Sequence, residues 1–274
     1  MQPGFEVLRD DDMKGSPKGE KMMDALVQAS DPHETEITKK YTGRRKVLVL
    51  YGPGRPWRTE VINIHRSRGG HVACWDLGYW DRSKALRLSF NGYHPAPHQL
   101  DYMSEPRYPE PVHVLREDAN PEGPILLVGL GEKACVLYGL QPLEWETRAF
   151  KDIRKRFPKR EVHWRPKGRR VQLHHTTIIS YGDPIEDALK GKSLVVCRHS
   201  NVAVDAAVAG VPVECSDGAA VALYGNTSTP SPEARALFLR KLEWWNWRFD
   251  EATSCWKWLR EVANKEAARQ GEEG

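Results

Sequence analysis

The residues from Ser193 to Val213 constrain this chain more than any other segment. Here an apolar run, Leu194-Val195-Val196-Cys197, leads through Arg198-His199-Ser200-Asn201 into a segment built of Ala and Val, which closes on Gly210-Val211-Pro212-Val213. A short apolar run followed by a capping residue and a helix-compatible stretch is a buried parallel strand feeding a helix. The pattern predicts a helix over 201–209 and a further strand over 211–215. Ser200 or Asn201 caps that helix, whose first-turn N–H groups and dipole favour an anion beyond the strand's carboxyl end. Asp205 is the only acid in the helix and lies just over one turn in, a position from which a carboxylate accepts hydrogen bonds from ribose hydroxyls. The same residues also have a purely structural role available, with Ser200 capping and Asp205 favouring the helix N-terminus.

The same logic finds partner elements. Lys46 to Tyr51 is an apolar run broken by Gly52-Pro53-Gly54, followed by a helix over 59–67, Gly69-Gly70 and a strand over 71–75. That is a βαβ unit. Pro124 to Val128 is a strand that turns at Gly129-Leu130-Gly131; then come a helix over 144–157, a strand over 161–165 and a short helix over 183–189. The fold class is therefore α/β, with two Rossmann-like parallel-sheet domains. The expected division is a polar tail over 1–45, a first Rossmann-like domain over 46–122, a second Rossmann-like domain over 123–230, a tryptophan-rich helix over 231–264 and a tail over 265–274. Phe238, Leu242, Trp245, Phe249, Ala252, Trp256, Leu259 and Ala263 recur at alternating spacings of four and three, which reads as one apolar stripe on a helix of about seven turns.

A length of 274 residues with 40% apolar content suffices for two compact cores. The five cysteines form no CxxC pair, which points to a reducing cytoplasm and no structural zinc. Neither a membrane-length apolar span nor a signal peptide is evident, so no membrane partner is expected. The net charge of +4 is modest, but 151–170 carries ten Lys or Arg against Asp152 and Glu161. That stretch reads either as a polyanion contact or as a solvated helix face with a strand end.

Against this background the run HSNVAVDAAVAGVPV (199–213) resembles the donor-site strand-helix-strand of glycosyltransferases of the two-Rossmann (GT-B) class. There a small or hydroxyl residue at the helix start meets the donor diphosphate and an acid further along binds ribose. The family's acid is commonly Glu; Asp205 shortens the reach. GxGRP (52–56), GGHVACWDLGYW (69–80), NGYHP (91–95) and the C-terminal WNWRFDE and WKWL are similar to a group of bacteriophage glycosyltransferases, over nearly the whole chain after residue 45. The resemblance implies a nucleotide diphosphate sugar as donor substrate, no cofactor, and double-stranded DNA with hydroxymethylated pyrimidines as acceptor, bound through 151–170. It implies donor contacts at Gly129, Gly131, Arg165, Lys167, His199, Ser200, Asn201, Asp205 and Gly218. Asp76, at a strand's carboxyl end, is the candidate general base for an inverting reaction, ahead of His65, His71 and His94. Trp57, Trp75, Tyr79 and His94 are acceptor-side candidates, the aromatics as aids to base flipping.

His174-His175 lacks helix-face spacing for a metal, and a metal-independent mechanism is expected. Two other classes fit part of the sequence: a non-catalytic nucleic-acid-binding protein with a Rossmann body, and an epimerase-like sugar-nucleotide enzyme. A nicotinamide oxidoreductase fits less well, because YGPGRP departs from GxGxxG.

Overall fold

The computed structural model describes residues 2–11, 17–52, 55–167, 173, 175–179 and 182–272. The chain divides into two compact units, one of Met1–Arg107 with Lys241–Gly274 and one of Tyr108–Arg240.

The first unit begins with β1 (Gln2–Leu8), α1 (Pro17–Ala29) and β2 (Thr35–Thr38), where the sequence suggested a tail. β1 lies between β2 and β3 (Arg45–Tyr51), parallel to both. Phe5, Val7, Leu8, Met22, Met23 and Leu26 are buried in this core. What disguises β1 is Glu6, an acid at 0% exposure inside an apolar strand. Its carboxylate accepts from the N–H groups of Thr42 (2.6 Å) and Gly43 (2.9 Å) and from the Thr42 and Thr38 hydroxyls, so its burial is compensated. α2 (Pro56–Ser67) and β4 (His71–Leu77) then complete the βαβ unit. Of the GxGRP turn, Pro53 and Gly54 lie outside the described residues. β5 (Ala85–Phe90) runs antiparallel to β4, again where the sequence suggested a loop. Its residues are all buried, including Arg87 and Ser89. These two polar side chains, bound to Asp76 and to the Gly92 carbonyl, break the apolar run that would have marked the strand.

The second unit holds β6 (Ile125–Val128), α3 (Glu132–Leu137), α4 (Glu144–Arg156), β7 (Val162–Arg165), β8 (Thr177–Ile178), α5 (Ile185–Leu189), β9 (Leu194–Cys197), α6 (Val202–Ala209), β10 (Val213–Cys215) and α7 (Val221–Tyr224). Its sheet is parallel throughout, in the order β10-β9-β6-β7-β8. This unit starts at Tyr108 rather than 123, because the segment before β6 closes the end of α6. The N–H groups of Arg116 and Asp118 donate to the carbonyls of Val208 and Ala209, both at 2.8 Å. The Arg235 guanidinium, 3% exposed, donates to Ala207 O and pairs with Glu117. Gly210 ends α6 at φ +72°, a left-handed conformation that glycine adopts without cost.

α8 (Pro232–Leu242) leads back into the first unit, and here the single long helix is corrected. After a 3₁₀ turn at Glu243–Trp245 the chain forms β11 (Asn246–Arg248), a second 3₁₀ turn and then α9 (Ala252–Glu272). β11 pairs antiparallel with β5, giving the order β11-β5-β4-β3-β1-β2. Asn246 accepts the Tyr79 N–H through Oδ1 at 2.8 Å, and Arg107 lies 3.5 Å over the Trp247 ring while donating to the Glu243 and Asn246 carbonyls. These long-range contacts override a local spacing that fits a helix. Trp245, Trp247 and Trp258 are core residues, at 0%, 1% and 3% exposure.

A buried ion pair joins the segment after β1 to α2: Arg58 donates to Asp10 through Nε (3.1 Å) and Nη2 (2.7 Å), and through Nη1 to the Tyr51 and Gly52 carbonyls. Asp10→Ala is expected to cost about 3–5 kcal/mol, because Arg58 stays buried without its carboxylate. Urea unfolding checks this, and a loss below about 1 kcal/mol would contradict it. Burial depresses the pKa values of His65 and His71 below 6.5, Lys46 adding to the effect at His71. Between the depressed folded values and 6.5 the unfolded chain binds more protons than the folded one. Stability is therefore expected to fall as pH drops below 6.5, measured as urea midpoints from pH 7.5 downward. His65→Gln and His71→Gln should each flatten the slope.

Candidate functional site

In the second unit β6 leads through α3 and α4 to β7 on one side of the sheet, whereas β9 leads through α6 to β10 on the other. A crevice must open between the carboxyl ends of β6 and β9, where successive connections part. Gly129-Leu130-Gly131 follows β6, Arg198 to Asn201 follows β9, Ser216 to Gly218 follows β10, and Lys167 lies just past β7. Topology thus brings together the predicted donor residues, which are scattered over about ninety positions of sequence.

The turn into α6 is tighter than expected. Val202 N–H donates to Ser200 Oγ (3.3 Å), Ala203 N–H to the Ser200 carbonyl (3.0 Å), and the N–H groups of Val204 (2.9 Å) and Asp205 (3.2 Å) to the Asn201 carbonyl. The first-turn donors are directed inward, which corrects the expectation that they stand free. Asn201 is the helix cap but makes no side-chain cap bond. What the turn offers an anion is the helix dipole and the Ser200 hydroxyl proton, since Ser200 Oγ spends its acceptor side on Val202. Val202, Ala203, Val204, Ala206, Ala207 and Ala209 are buried against the sheet, whereas Asp205 is half-buried. Gly218 has φ +95°, and a Cβ there would stand 3.3 Å from the His199 backbone, so glycine holds these two loops together.

The other glycines divide in role. Gly129 N–H donates to the Arg165 carbonyl at 3.0 Å, and a side chain on Gly129 would collide with the Trp164 ring. It is a packing glycine, not an opening for a ligand. At Gly131 the nearest atoms to an added Cβ belong to the Lys167 side chain, 3.5 Å away, so the exposed Lys167 stem runs beside the β6 turn. Arg165 is 5% exposed and donates from Nη2 to the Asp183 carbonyl at 2.7 Å. Arg165 therefore ties β7 to a loop, and the pairing of Arg165 with Lys167 on one ligand-facing edge is not what the geometry gives.

Four further residues border the crevice and had no signal in the sequence pattern. The Arg198 guanidinium lies 3.6 Å over the Tyr138 ring and donates from Nε to Asp217 Oδ2 at 2.7 Å. Tyr138 in turn sits 5.4 Å from the His199 ring, centroid to centroid. Glu146, in the first turn of α4, is 2% exposed and accepts the Leu130 N–H at 2.7 Å. With Gly129 and Leu130 N–H both engaged, the β6 turn has little to offer a phosphate. The electropositive side of the crevice is at α6 and Lys167.

In the first unit Asp76 lies within β4, opposite Arg87 of β5, and its carboxylate accepts from Arg87 Nη2 (3.0 Å) and Leu77 N–H (2.7 Å). Trp75 and Tyr79 are 0% and 1% exposed, so neither presents a face to a flipped base. Tyr79 OH meets His94 Nδ1 at 3.1 Å, and burial raises its pKa. Trp57 is half-buried against the Leu8, Leu48 and Leu50 cluster.

The basic stretch is largely committed to its own chain. Arg156 binds Glu214 through both Nη atoms, Arg154 donates to the Arg160 and His175 carbonyls, and Arg160 donates to the Pro121 and Gly123 carbonyls. Lys151, Lys155 and Lys159 are exposed; Arg169, Arg170 and His174 lie outside the described residues. Among the described residues no cluster of three or more His, Cys, Asp or Glu is placed to hold a metal ion, and no helix is long and apolar enough to cross a membrane.

No family model and no curated protein matches this sequence. The solved structures similar to it over most of its length include two from Thermosulfurimonas dismutans KpsC. The β-Kdo 2,7 transferase matches with a TM-score of 0.53 at 14% identity, covering 96% of this chain and 99% of that one. The β-Kdo 2,4 transferase matches with a TM-score of 0.51 at 12% identity, covering 86% and 89%. At such identities the likeness is one of fold: an α/β chain with two parallel-rich sheets and a long C-terminal helix, in a GT-B-like fold.

Glu146 supplies a direct test of how the β6 turn is held. Glu146→Gln keeps an acceptor for Leu130 N–H, whereas Glu146→Ala leaves that donor buried and unsatisfied, at an expected cost of about 1–3 kcal/mol. Thermal denaturation of the two variants should separate them in that order; equal stability would contradict the assignment.

Proposed function

We propose that this chain is a glycosyltransferase that moves a sugar from a nucleotide diphosphate sugar to a hydroxyl group. One observation carries the reading: the strand order of the second unit reverses between β6 and β9, and at that point stand an exposed lysine, a hydroxyl and the positive end of a helix. In this reading Lys167, the Ser200 hydroxyl and the α6 dipole stabilise the charge that builds on the diphosphate as the glycosidic bond breaks. Asp205 receives ribose hydroxyls, and His199 and Gly218 fix the loops around the phosphates. Asp76 takes the acceptor proton if the sugar is inverted.

The acceptor proposed is a hydroxymethylated pyrimidine in DNA, on the strength of the sequence resemblance to bacteriophage enzymes. Because Arg154, Arg156 and Arg160 are engaged within the chain, the exposed Lys151, Lys155 and Lys159 are the cations left in 151–160 for phosphates. Three such contacts give a log–log salt slope of about −3.

A thermal-shift panel of nucleoside diphosphates and their sugars tests the donor, and mass spectrometry of hydroxymethylated DNA and of oligosaccharides incubated with the best donor tests the acceptor. Lys167→Ala and Ser200→Ala are expected to weaken nucleoside diphosphate binding about 3- to 30-fold each, with folding unchanged. Asp76→Asn should abolish transfer and spare donor binding. Lack of any shift with every nucleotide would overturn the transferase reading in favour of a non-catalytic binding protein. Sugar found only on oligosaccharide, or duplex binding unaltered when Lys151, Lys155 and Lys159 become Gln, would overturn the DNA acceptor alone.

A further inference from the structure

A cavity lies in the first unit where the amino-terminal ends of β1, β3 and β4 meet α9. It encloses about 590 Å³, and its wall includes Arg45, Lys46, His71 and Arg260 with Glu34 and Asn264. The wall thus carries three cations against one carboxylate. Glu34 Oε1 pairs with Arg260 at 3.0 Å, and Glu36, outside the wall, approaches Arg45 Nε at 3.5 Å. Lys46 Nζ donates to the neutral Gly69 carbonyl at 2.6 Å, so its charge has no carboxylate set against it there.

Two features show that the cavity is built into the fold. β1 changes register between Gln2 and Phe5. Gly4 takes φ +102° there, a conformation suited to glycine, and an added Cβ would strike the Glu34 carbonyl. This bulge in an inner strand forms part of the wall, and bulges of this kind re-aim the chain around sites. The second feature is His71, 1% exposed. Asn91 Oδ1 accepts the Val72 N–H at 3.0 Å, which turns Asn91 Nδ2 toward His71 Nδ1, also at 3.0 Å. His71 Nδ1 is then the acceptor and Nε2 carries the proton. That Nε2–H meets no acceptor among the described residues, an expensive condition for a buried donor. Burial and Lys46 both disfavour a charged ring, so the donor is a neutral imidazole.

We propose that this cavity is a binding site for a small oxyanion-bearing molecule, its phosphate or carboxylate group held by Lys46, Arg45 and Arg260 with His71 Nε2–H as a neutral donor. The site is separate from the crevice of the second unit, and the argument for it does not depend on the transferase reading. Both phosphates and polycarboxylates supply the required acceptors, and the cavity admits molecules up to the size of a mononucleotide.

The full-length protein is titrated with inorganic pyrophosphate, with citrate and with neutral glucose, following thermal stability and the His71 ring signals in ¹H–¹⁵N spectra. Pyrophosphate, citrate or both should raise the unfolding midpoint saturably and shift the His71 Nε2 resonance, whereas glucose should do neither. The arm that binds tells phosphate from carboxylate specificity. Lys46→Met combined with Arg260→Leu should weaken that binding about tenfold or more, and circular dichroism confirms that the variant folds. A Ser200→Ala, Lys167→Ala variant should keep the His71 response, which separates this site from the donor crevice. The proposal is overturned if His71 does not respond to either anion, or if the Lys46, Arg260 variant binds as tightly as the parent.

Discussion

The second unit depends on one constraint: a parallel sheet buried on both faces must send its connections over those faces, and where they part company the strand ends are left uncovered. β6 and β9 are neighbours whose following helices go to opposite sides. The gap at their carboxyl ends is therefore a product of topology, present before any side chain is chosen. The side chains then give it chemical character. A small-residue helix can lie close on the sheet and bring its positive end to the gap, and the loops after β7 and β10 add Lys167 and Gly218.

Buried polar groups hold these loops in place. Arg165 anchors the loop before α5 through the Asp183 carbonyl, Glu146 pins the β6 turn, and Asp217 with Tyr138 fixes Arg198. At the far end of α6 the carbonyls meet the N–H groups of Arg116 and Asp118 and the Arg235 guanidinium. Arg165, Glu146 and Arg235 are buried and would be costly if left alone in a low-dielectric interior, but are inexpensive once paired. These contacts tie the loops beside the crevice to the body of the second unit. The first unit uses the same device at Asp10 with Arg58 and at Glu6 with Thr42 and Gly43.

These compensated polar groups also explain which parts of the fold were legible in the sequence. β3, β4, β6, β7 and β9 read directly as strands, as did α2, α4 and α6 as helices, because a buried parallel strand is an apolar run between turns. β1 and β5 did not, since Glu6 and Arg87 sit inside them and their partners come from distant residues. The stripe from Phe238 to Ala263 misled for the converse reason: its spacing fits a helix, but Asn246 and Trp247 are claimed by contacts with Tyr79 and Arg107 that no local pattern records. In the candidate site, Ser200 and Asn201 are read from capping chemistry after a strand, whereas His199 and Gly218 enter only through the family resemblance. Glu146 was not legible, because an acid in the first turn of a helix ordinarily marks a solvated start, and Tyr138 and Asp217 reach the crevice only through tertiary packing. Of the aromatics read as ligand-facing, Trp75 is core because β4 is buried on both faces there, and Tyr79, just past β4, is held inside by Asn246 and His94.

In the proposed function a nucleoside diphosphate is held at the β6 and β9 strand ends. Backbone amide spectra of the full chain, titrated with each nucleoside diphosphate in turn, test this most directly. The expected result is that at least one of them perturbs residues 130–131, 167, 198–202 and 217–218 together, and that Ser200→Ala weakens the effect. Perturbations confined to other parts of the chain, or silence with every nucleotide, would contradict it.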